Sequence, residues 1–285
     1  VIDNQIQLFT DSNGKIYTYS DVVDTLKKVG ADNCDVLFVH SELSFGVPCK
    51  TLKRNEYIGM MYKALEELGV KTLIFPTFTF SFSNFEDYDV SNSRSRMGAL
   101  TEYARKQPNS IRSNDPLMSV VVIGENKKLI EGLGKDSVGK NSIFDKLHNT
   151  KNVKFLFFGT EIGQCFTHMH YVEEQLNVPY RYNKSFTGKI INQDGESEIV
   201  TYNLFVKYRD IIPVVPDSFE EELIKKGIYK KEKSGDRFVG CFTEKDSYQA
   251  TVEWLEKDIN GFLGEAYNFI PFIKEYSYGN VTTVQ

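Results

Sequence analysis

The sequence predicts an α/β protein: a mixed central sheet with helices on both faces, followed by a C-terminal β-hairpin and a helical segment. Three observations carry this. Short continuous apolar runs, the pattern of strands buried on both faces, recur between Asp35 and Gly159. Amphipathic helical patterns separate them, and such alternation builds sheets with parallel pairs. After Arg181 the pattern changes to alternating residues around an Asp194-Gly195 turn, which reads as a hairpin.

Each element follows from its residues. "DVVDTLKKVG" (Asp21 to Gly30) has helical spacing and a closing glycine. "DVLFVHS" (Asp35 to Ser41) is a buried strand. "NEYIGMMYKALEELG" is a helix capped by Asn55 and stopped by Gly69. "KTLIFPTFTF" is the second strand, "GALTEYARKQ" a helix, "MSVVVIG" a strand, and "KKLIEGLG" and "SIFDKLHN" two helices. "VKFLFFG" is a strand and "THMHYVEEQL" a helix; "FEEELIKKG" and "DSYQATVEWLEKDINGFLG" close the chain as helices. No repeat, low-complexity tract or Pro/Gly-rich linker interrupts it, so residues 1–285 read as one domain, with a core over 20–181 and an acceptor-side portion over 182–285.

Bulk properties bound the function. With 285 residues, 41% apolar and 26% charged, the chain is long enough for a sizeable core and has a globular composition. A net charge of −5 argues against a partner held by phosphate neutralisation, so nucleic acid is not expected. No apolar run approaches the roughly 18–20 residues that span a bilayer. The start, "VIDNQIQLFTDSNGK", lacks the basic and apolar segments of a signal peptide. Cys34, Cys49, Cys165 and Cys241 are scattered without a C-x-x-C pair, as in a reducing compartment. The expectation is a cytoplasmic protein without a membrane partner; a homo-oligomer is compatible with the sequence.

The stretch "GQCFTHMHYVEEQLNVPYR" (Gly163 to Arg181) holds two of only four histidines. With a helix starting near Thr167, residues Thr167, His170 and Glu173 fall at i, i+3 and i+6 and share a face. That face lies just beyond a strand's carboxyl end, where ligands collect in open α/β sheets. Glu173 can orient the His170 imidazole, an imidazole suits general-base work near neutral pH, and the Thr167 hydroxyl can donate to an oxyanion. His168 lies on another face and reads as a structural or surface residue. Two alternatives use the same stretch. A metal site from Cys165, His168, His170 and Glu173 is disfavoured because His-x-His on a helix points the rings apart. Cys165 as a nucleophile needs a depressed pKa and an adjacent base; a packed thiol needs neither.

The segments "DVLFVHSELSFG", "TLIFPTFTFSF", "DYDVSNSRSRMGALTEYARKQP", "IRSNDPLMSVVVIG", "GKNSIFDKL" and "THMHYVEEQLNVPYR", in that order from about Ser20 to Arg181, resemble the aminoglycoside 3-N-acetyltransferase family. The resemblance implies a three-layer α/β fold that takes acetyl-CoA as co-substrate, uses no metal and transfers the acetyl group directly to an amine on a sugar. The family's T-x-x-H-x-x-E falls on Thr167, His170 and Glu173, implying that His170 is the general base. Its cofactor segment H-S-x-L-S falls on His40, Ser41, Glu42, Leu43 and Ser44. A second, R-S-x-x-P-x-x-S, falls on Arg112, Ser113, Pro116 and Ser119. Ser41, Ser44, Arg112, Ser113 and Ser119 are thus cofactor-binding candidates, with Gly139 and Ser142 as weaker ones.

This chain departs from antibiotic-modifying members at Asp115, at "SRS" (Ser93 to Ser95) and at Tyr171, which bears on the acceptor. An aminoglycoside favours an acidic lip, supplied by Glu86, Asp87 and Asp89. A nucleotide-linked amino sugar favours cations such as Arg94, Arg96, Arg181 or Lys184. Asp89, Tyr171 and Arg181 are the substrate-binding candidates. Several segments resemble the branch associated with bacterial surface-polysaccharide sugars, so the expected acceptor is a nucleotide-linked aminodeoxy sugar, with an aminoglycoside as the alternative. A non-catalytic CoA- or sugar-binding module and a metal-dependent hydrolase are the readings from other classes.

Overall fold

The structure, a computed structural model, describes residues 3–209, 211–264, 275–278 and 281–284. The chain opens with β1 (Gln7–Thr10), β2 (Ile16–Thr18), α1 (Tyr19–Lys28), β3 (Val36–Ser41), β4 (Val47–Pro48), α2 (Arg54–Glu66), β5 (Thr72–Pro76) and β6 (Tyr88–Asp89). It continues with α3 (Ala99–Arg105), β7 (Ile111–Arg112), β8 (Val120–Gly124), α4 (Ile143–His148), β9 (Val153–Phe158), α5 (Ile162–Cys165) and α6 (Met169–Gln175). The last portion holds β10 (Arg181–Ile191), β11 (Ser197–Lys207), α7 (Asp217–Lys225), β12 (Lys230–Ser234), β13 (Arg237–Thr243), α8 (Glu244–Lys257), β14 (Glu275–Tyr278) and β15 (Val281–Val284).

The apolar runs form a seven-stranded sheet in the order β12-β13-β9-β3-β5-β8-β7. β3 runs parallel to both β9 and β5, whereas β13, β8, β7 and β12 pair antiparallel with their neighbours. The sheet is mixed, as the sequence predicts. Because side chains alternate along a strand, Val36, Phe38, Phe155 and Phe157 enter one core, while Leu37, Val39, Leu156 and Phe158 enter the other. On the second face α1, α2 and α3 contribute Val22, Leu26, Met61, Leu65 and Leu100. On the first face α4, α6, α7 and α8 contribute Phe144, Val172, Leu223 and Leu255. Full burial of each such side chain is worth about 1.5–3 kcal/mol, which is why both strand faces are apolar and three layers result.

Local chemistry sets the element ends. Thr18 caps α1 reciprocally, its Oγ1 accepting from Asp21 N while Asp21 Oδ2 accepts from Thr18 N at 2.7 Å. β10 and β11 pair in full register from Arg181↔Lys207 to Ile191↔Ser197. Their turn passes through Gly195 at φ +83°, the hairpin read from Asp194-Gly195.

Several expectations change. Helix α6 begins at Met169 rather than near Thr167, because Phe166 leaves helical backbone (φ −71°, ψ 73°) and His168 becomes the cap. "KKLIEGLG" makes only a 3₁₀ turn at Lys127–Ile130, cut short by Gly132 at φ +62°. "KTLIFPTFTF" stops being a strand at Pro76; Thr77, Phe80 and Ser81 send their N–H groups to the 116–119 loop instead. A small sheet, β2-β1-β4, is not among the predicted elements; β1 and β2 precede α1, and β4 follows β3. β12 and β13 extend the central sheet, so part of the portion after Arg181 joins the core layer. Among the described residues no helix is long and apolar enough to cross a membrane.

Since β3, β5 and β9 are parallel, their carboxyl ends at Ser41, Pro76 and Phe158 share one edge. Gly159 then turns the chain at φ +79°. A Cβ there would collide with the Glu42 carbonyl oxygen and the Phe45 ring, so glycine is required where β9 hands over to α5 and α6.

Candidate active site

Helix α6 carries His170 and Glu173 one turn apart, on one face. His170 Nδ1 lies 2.7 Å from Glu173 Oε2, with the imidazole 27% exposed and the carboxylate fully buried. Two further groups reach the same carboxylate. Tyr180 OH donates to Oε1 at 2.9 Å, and Arg181 Nε stands 2.8 Å from Oε2. The Arg181 contact is a pairing of charges rather than an aligned hydrogen bond; its Nη1 donates to the Phe205 carbonyl at 3.4 Å. Burial pushes the Glu173 carboxyl up, but Arg181, His170 and Tyr180 outweigh it and hold it below its ordinary value. Burial and then Arg181 lower the His170 pKa, against the pull of Glu173. The bond to Glu173 fixes a proton on Nδ1, so Nε2 is the nitrogen available as a base at neutral pH.

His170 lines a cavity of about 220 Å³ with Thr167, Gln164 and Cys165, walled by Ile162, Phe166, Met169, Pro213 and Val215. Thr167, just before the helix cap, keeps its place beside His170 because His170 N donates to the Thr167 carbonyl at 3.0 Å. Its Oγ1 lies 3.5 Å from Nε2 of His40, near the carboxyl end of β3. His40 is 3% exposed, and burial drives its pKa down to about 3, so it is a neutral imidazole. Burial pushes the Cys165 thiol up to about 12. Its Sγ meets the Glu161 carbonyl and Thr160 Oγ1 at 3.5 Å, and nothing there generates a thiolate.

His168 points to the other side, fully buried, with Nε2 3.2 Å from Glu244 Oε1. The same oxygen meets His148 Nδ1 at 2.8 Å, which ties α4, the cap of α6 and the start of α8 together. Among the described residues, no group of three or more His, Cys, Asp or Glu side chains is arranged to hold a metal ion.

The cofactor candidates are dispersed. Ser41 ends β3, and its carbonyl lies against Gly98 at the start of α3. Ser44 is exposed, bonding Glu42 at 2.6 Å and receiving Arg237 Nε at 2.9 Å. Arg112 is 5% exposed and donates to the Thr77, Val90 and Ser93 carbonyls and to Thr77 Oγ1. Ser119 is fully buried and bonds Thr77 O at 2.7 Å. Ser113 accepts from Val120 N, and Ser142 caps α4. Arg112, Ser113 and Ser142 nevertheless share the wall of a cavity of about 550 Å³, together with Asp115 and Glu198.

The substrate candidates also separate. Asp89 organises a turn by accepting from Ser91 N and Asn92 N. Tyr171 donates to Asp145 at 2.9 Å. Arg181 belongs to Glu173. Glu86, Asp87, Arg94 and Arg96 do converge, around a cavity of about 740 Å³ that also includes Arg54 and Gly98. There Glu86 is paired with Arg96 at 3.0 Å and Asp87 with Lys189 at 2.6 Å. Among the described residues Arg54 and Arg94 have no acidic partner. This cavity and the His170 cavity flank the carboxyl end of β3, through Gly98–Ser41 on one side and Thr167–His40 on the other.

The reading from sequence missed Tyr180 and assigned Arg181 elsewhere. Both follow the helix by a turn at Asn177 (φ +47°), so helical spacing says nothing about them. The one available signal was Glu173 itself, since a carboxylate on a buried face requires a counter-charge.

Residues 38–256 match the family model described as aminoglycoside 3-N-acetyltransferase. No curated protein matches the chain at significant similarity. Among solved structures, the aminoglycoside acetyltransferase AAC(3)-Xa is similar at 18% identity, covering 85% of this chain and 93% of that one with a TM-score of 0.71. AAC-IIIb, in a binary complex with CoASH, is similar at 19% identity, covering 85% and 97%, TM-score 0.70. AAC-VIa bound to sisomicin is similar at 18%, covering 85% and 98%, TM-score 0.68.

Proposed function

The chain belongs to the aminoglycoside 3-N-acetyltransferase family, and from that premise we propose that it transfers the acetyl group of acetyl-CoA to an amine of an aminoglycoside-type amino sugar, with His170 as general base. The observation that carries this is the His170 imidazole, held through Nδ1 by a buried carboxylate while the residue lines a small cavity. A similar structure is described with CoASH and another with sisomicin, which supports the two substrates.

The residues fit the donor. At about 220 Å³ the His170 cavity is smaller than the roughly 300–1,000 Å³ of drug-sized sites. Its walls, apolar at Ile162, Phe166, Met169, Pro213 and Val215 and polar at Gln164, Thr167 and His170, suit an acetylated pantetheine end, and a whole aminoglycoside would not fit. The larger cavity across β3 offers Arg54 and Arg94, planar forks suited to phosphate oxygens.

In the reaction His170 Nε2 takes a proton from the amine as its nitrogen attacks the thioester carbonyl. Glu173 keeps the Nδ1 proton in place and so fixes the tautomer of the ring. The Thr167 hydroxyl, on the same cavity wall, donates to the carbonyl oxygen as negative charge develops there, a contribution of about 3–4 kcal/mol for a well-placed donor. The new C–N bond replaces the C–S bond, and the imidazolium returns its proton to the departing sulfur. No covalent enzyme intermediate is needed, in keeping with the protonated state of Cys165.

The family favours an aminoglycoside acceptor over the nucleotide-linked sugar expected from sequence. One observation supports the latter: Glu86 and Asp87, two of the three acids of the expected acidic lip, are already paired, while among the described residues Arg54 and Arg94 have no acidic partner, which suits a diphosphate. Thiol release from acetyl-CoA, followed against sisomicin and other aminoglycosides and against nucleotide-linked amino sugars, decides between them. Release with aminoglycosides is the expected result. Release with no amine at all would remove the transferase reading.

A further inference from the structure

Glu173 is surrounded by more partners than a general base needs to be oriented. His170 and Tyr180 already occupy both of its oxygens with hydrogen bonds, yet a 6%-exposed arginine side chain is brought to 2.8 Å as well. We propose that Arg181 is a positioning residue acting through Glu173, whose charge it balances so that His170 works as an unprotonated base at neutral pH. The proposal rests on His170 being the base.

Buried charge decides the protonation state of the ring. Glu173 and Arg181 together are neutral, so a proton added to His170 creates a net positive charge against a buried ion pair, and this is unfavourable. Without Arg181, the same proton would neutralise a lone buried carboxylate and be held strongly. The arginine therefore cancels the usual effect of a carboxylate on its histidine while keeping the carboxylate's orienting bond. The charge pairing without an aligned hydrogen bond fits this role, because a charge tunes its neighbour through distance and not through directional bonding.

The other ionisable groups near the site do not substitute for it. Tyr180, from the segment before β10, is a neutral donor whose pKa burial and then Glu173 raise. Asp258, at the end of α8, acts on Tyr180 in the same direction. Lys207, the register partner of Arg181 on β11, directs its ammonium to the Ile211 carbonyl at 2.8 Å. On the cavity side stand the Cys165 thiol and Thr167, which leads to neutral His40. Arg181 is the cation in contact with the carboxylate. Its position is set by β10, whose first residue it is, and it is the same residue that the sequence suggested for substrate.

The test is the pH dependence of kcat/KM for Arg181→Met and Arg181→Lys, read together with the titration of the His170 ring by NMR of ¹³C-histidine protein. With four histidines in the chain, the His170 signal is identified by its loss in His170→Ala. In Arg181→Met the acid limb should move up by about one unit or more, giving about a tenfold loss on the acid side that closes at high pH. Arg181→Lys should keep the limb near its original position. In the unaltered protein His170 should titrate below the ordinary value of about 6.5; this reading stands even if the Met variant does not fold. A loss in Arg181→Met that is uniform with pH would overturn the proposal, as would a native ring titrating at or above 6.5. Full turnover in His170→Ala would instead remove the general-base reading, leaving the NMR titration to report on Arg181 by itself.

Discussion

Replacing Glu173 by Gln separates stability from chemistry at the centre of the site. The substitution keeps the volume and an acceptor for Tyr180 but deletes the charge opposite Arg181. A guanidinium does not deprotonate in proteins, so Arg181, 8% exposed, becomes a buried cation without a counter-charge, left with its bond to the Phe205 carbonyl. Breaking a buried ion pair from one side costs about 3–5 kcal/mol. At roughly 2–4 °C per kcal/mol for a chain of this size, the melting temperature should fall by about 6–20 °C. The double variant Glu173→Gln/Arg181→Met removes the stranded charge and should recover most of that loss, because pairs replaced together by neutral groups are often close to neutral in stability. Turnover should not recover, since His170 has lost the carboxylate that fixed its tautomer. Thermal melts and CoA-release rates on the same preparations give both quantities. A single variant melting within about 2 °C of the native protein, or a double variant no more stable than the single, would refute the charge-balance reasoning.

Three further outcomes follow from particular contacts. Thr167→Val should lower kcat by about 10²–10³, the range for loss of one oxyanion donor, with little change in donor affinity; unchanged kcat in steady-state kinetics would remove Thr167 from that role. Arg112→Met should lower the melting temperature, because the Val90 and Ser93 carbonyls lose their donor at about 1–3 kcal/mol for each group left buried and unpaired, while the Thr77 carbonyl keeps Ser119; calorimetry showing a selective loss of acetyl-CoA binding without destabilisation would return Arg112 to the cofactor site. Stability should also decline with acidity. His40, His168 and His170 all have lowered pKa values in the folded state, so below about pH 6.5 the unfolded chain binds protons that the folded chain does not. Their contribution is complete above that pH and is lost below it, at about 1.4 kcal/mol per pH unit for each imidazole, and for His40 the loss continues to about pH 3. His40→Phe should flatten the slope between pH 6.5 and 5 in thermal melts, and an unchanged slope would contradict a neutral buried ring.

Much of the fold is written in local pattern. β3, β8 and β9 are legible because strands buried on both faces must be apolar throughout, and α1 because its cap, charged face and closing glycine agree. β12 and β13 are not legible in this way. β12, "KKEKS", is charged because it forms the sheet's outer edge, where lysines discourage further pairing, and such an edge strand looks like a surface loop. The His170–Glu173 pair was readable because helical geometry alone puts the imidazole beside the carboxylate. The rest of the site depends on chain segments that meet only in the fold. His40 comes to Thr167 from β3, and Arg181 comes to Glu173 after a left-handed turn, so a cation whose charge suggested a substrate phosphate is paired with the Glu173 carboxylate. The serine candidates show the converse. Ser113, Ser119 and Ser142 flank strands or helices as expected, but flanking positions are also where hydroxyls satisfy main-chain groups, and that is what their hydrogen bonds do in this structure.

The account stands most directly on acetyl transfer by His170→Ala. With acetyl-CoA binding measured by calorimetry and thiol release measured on an accepted amine, the variant should bind the donor as the native protein does and release CoA about 10²–10⁴-fold more slowly, the span attributable to a general base. Release within a few-fold of the native rate, with the donor bound normally, would contradict the assignment of this ring as the base.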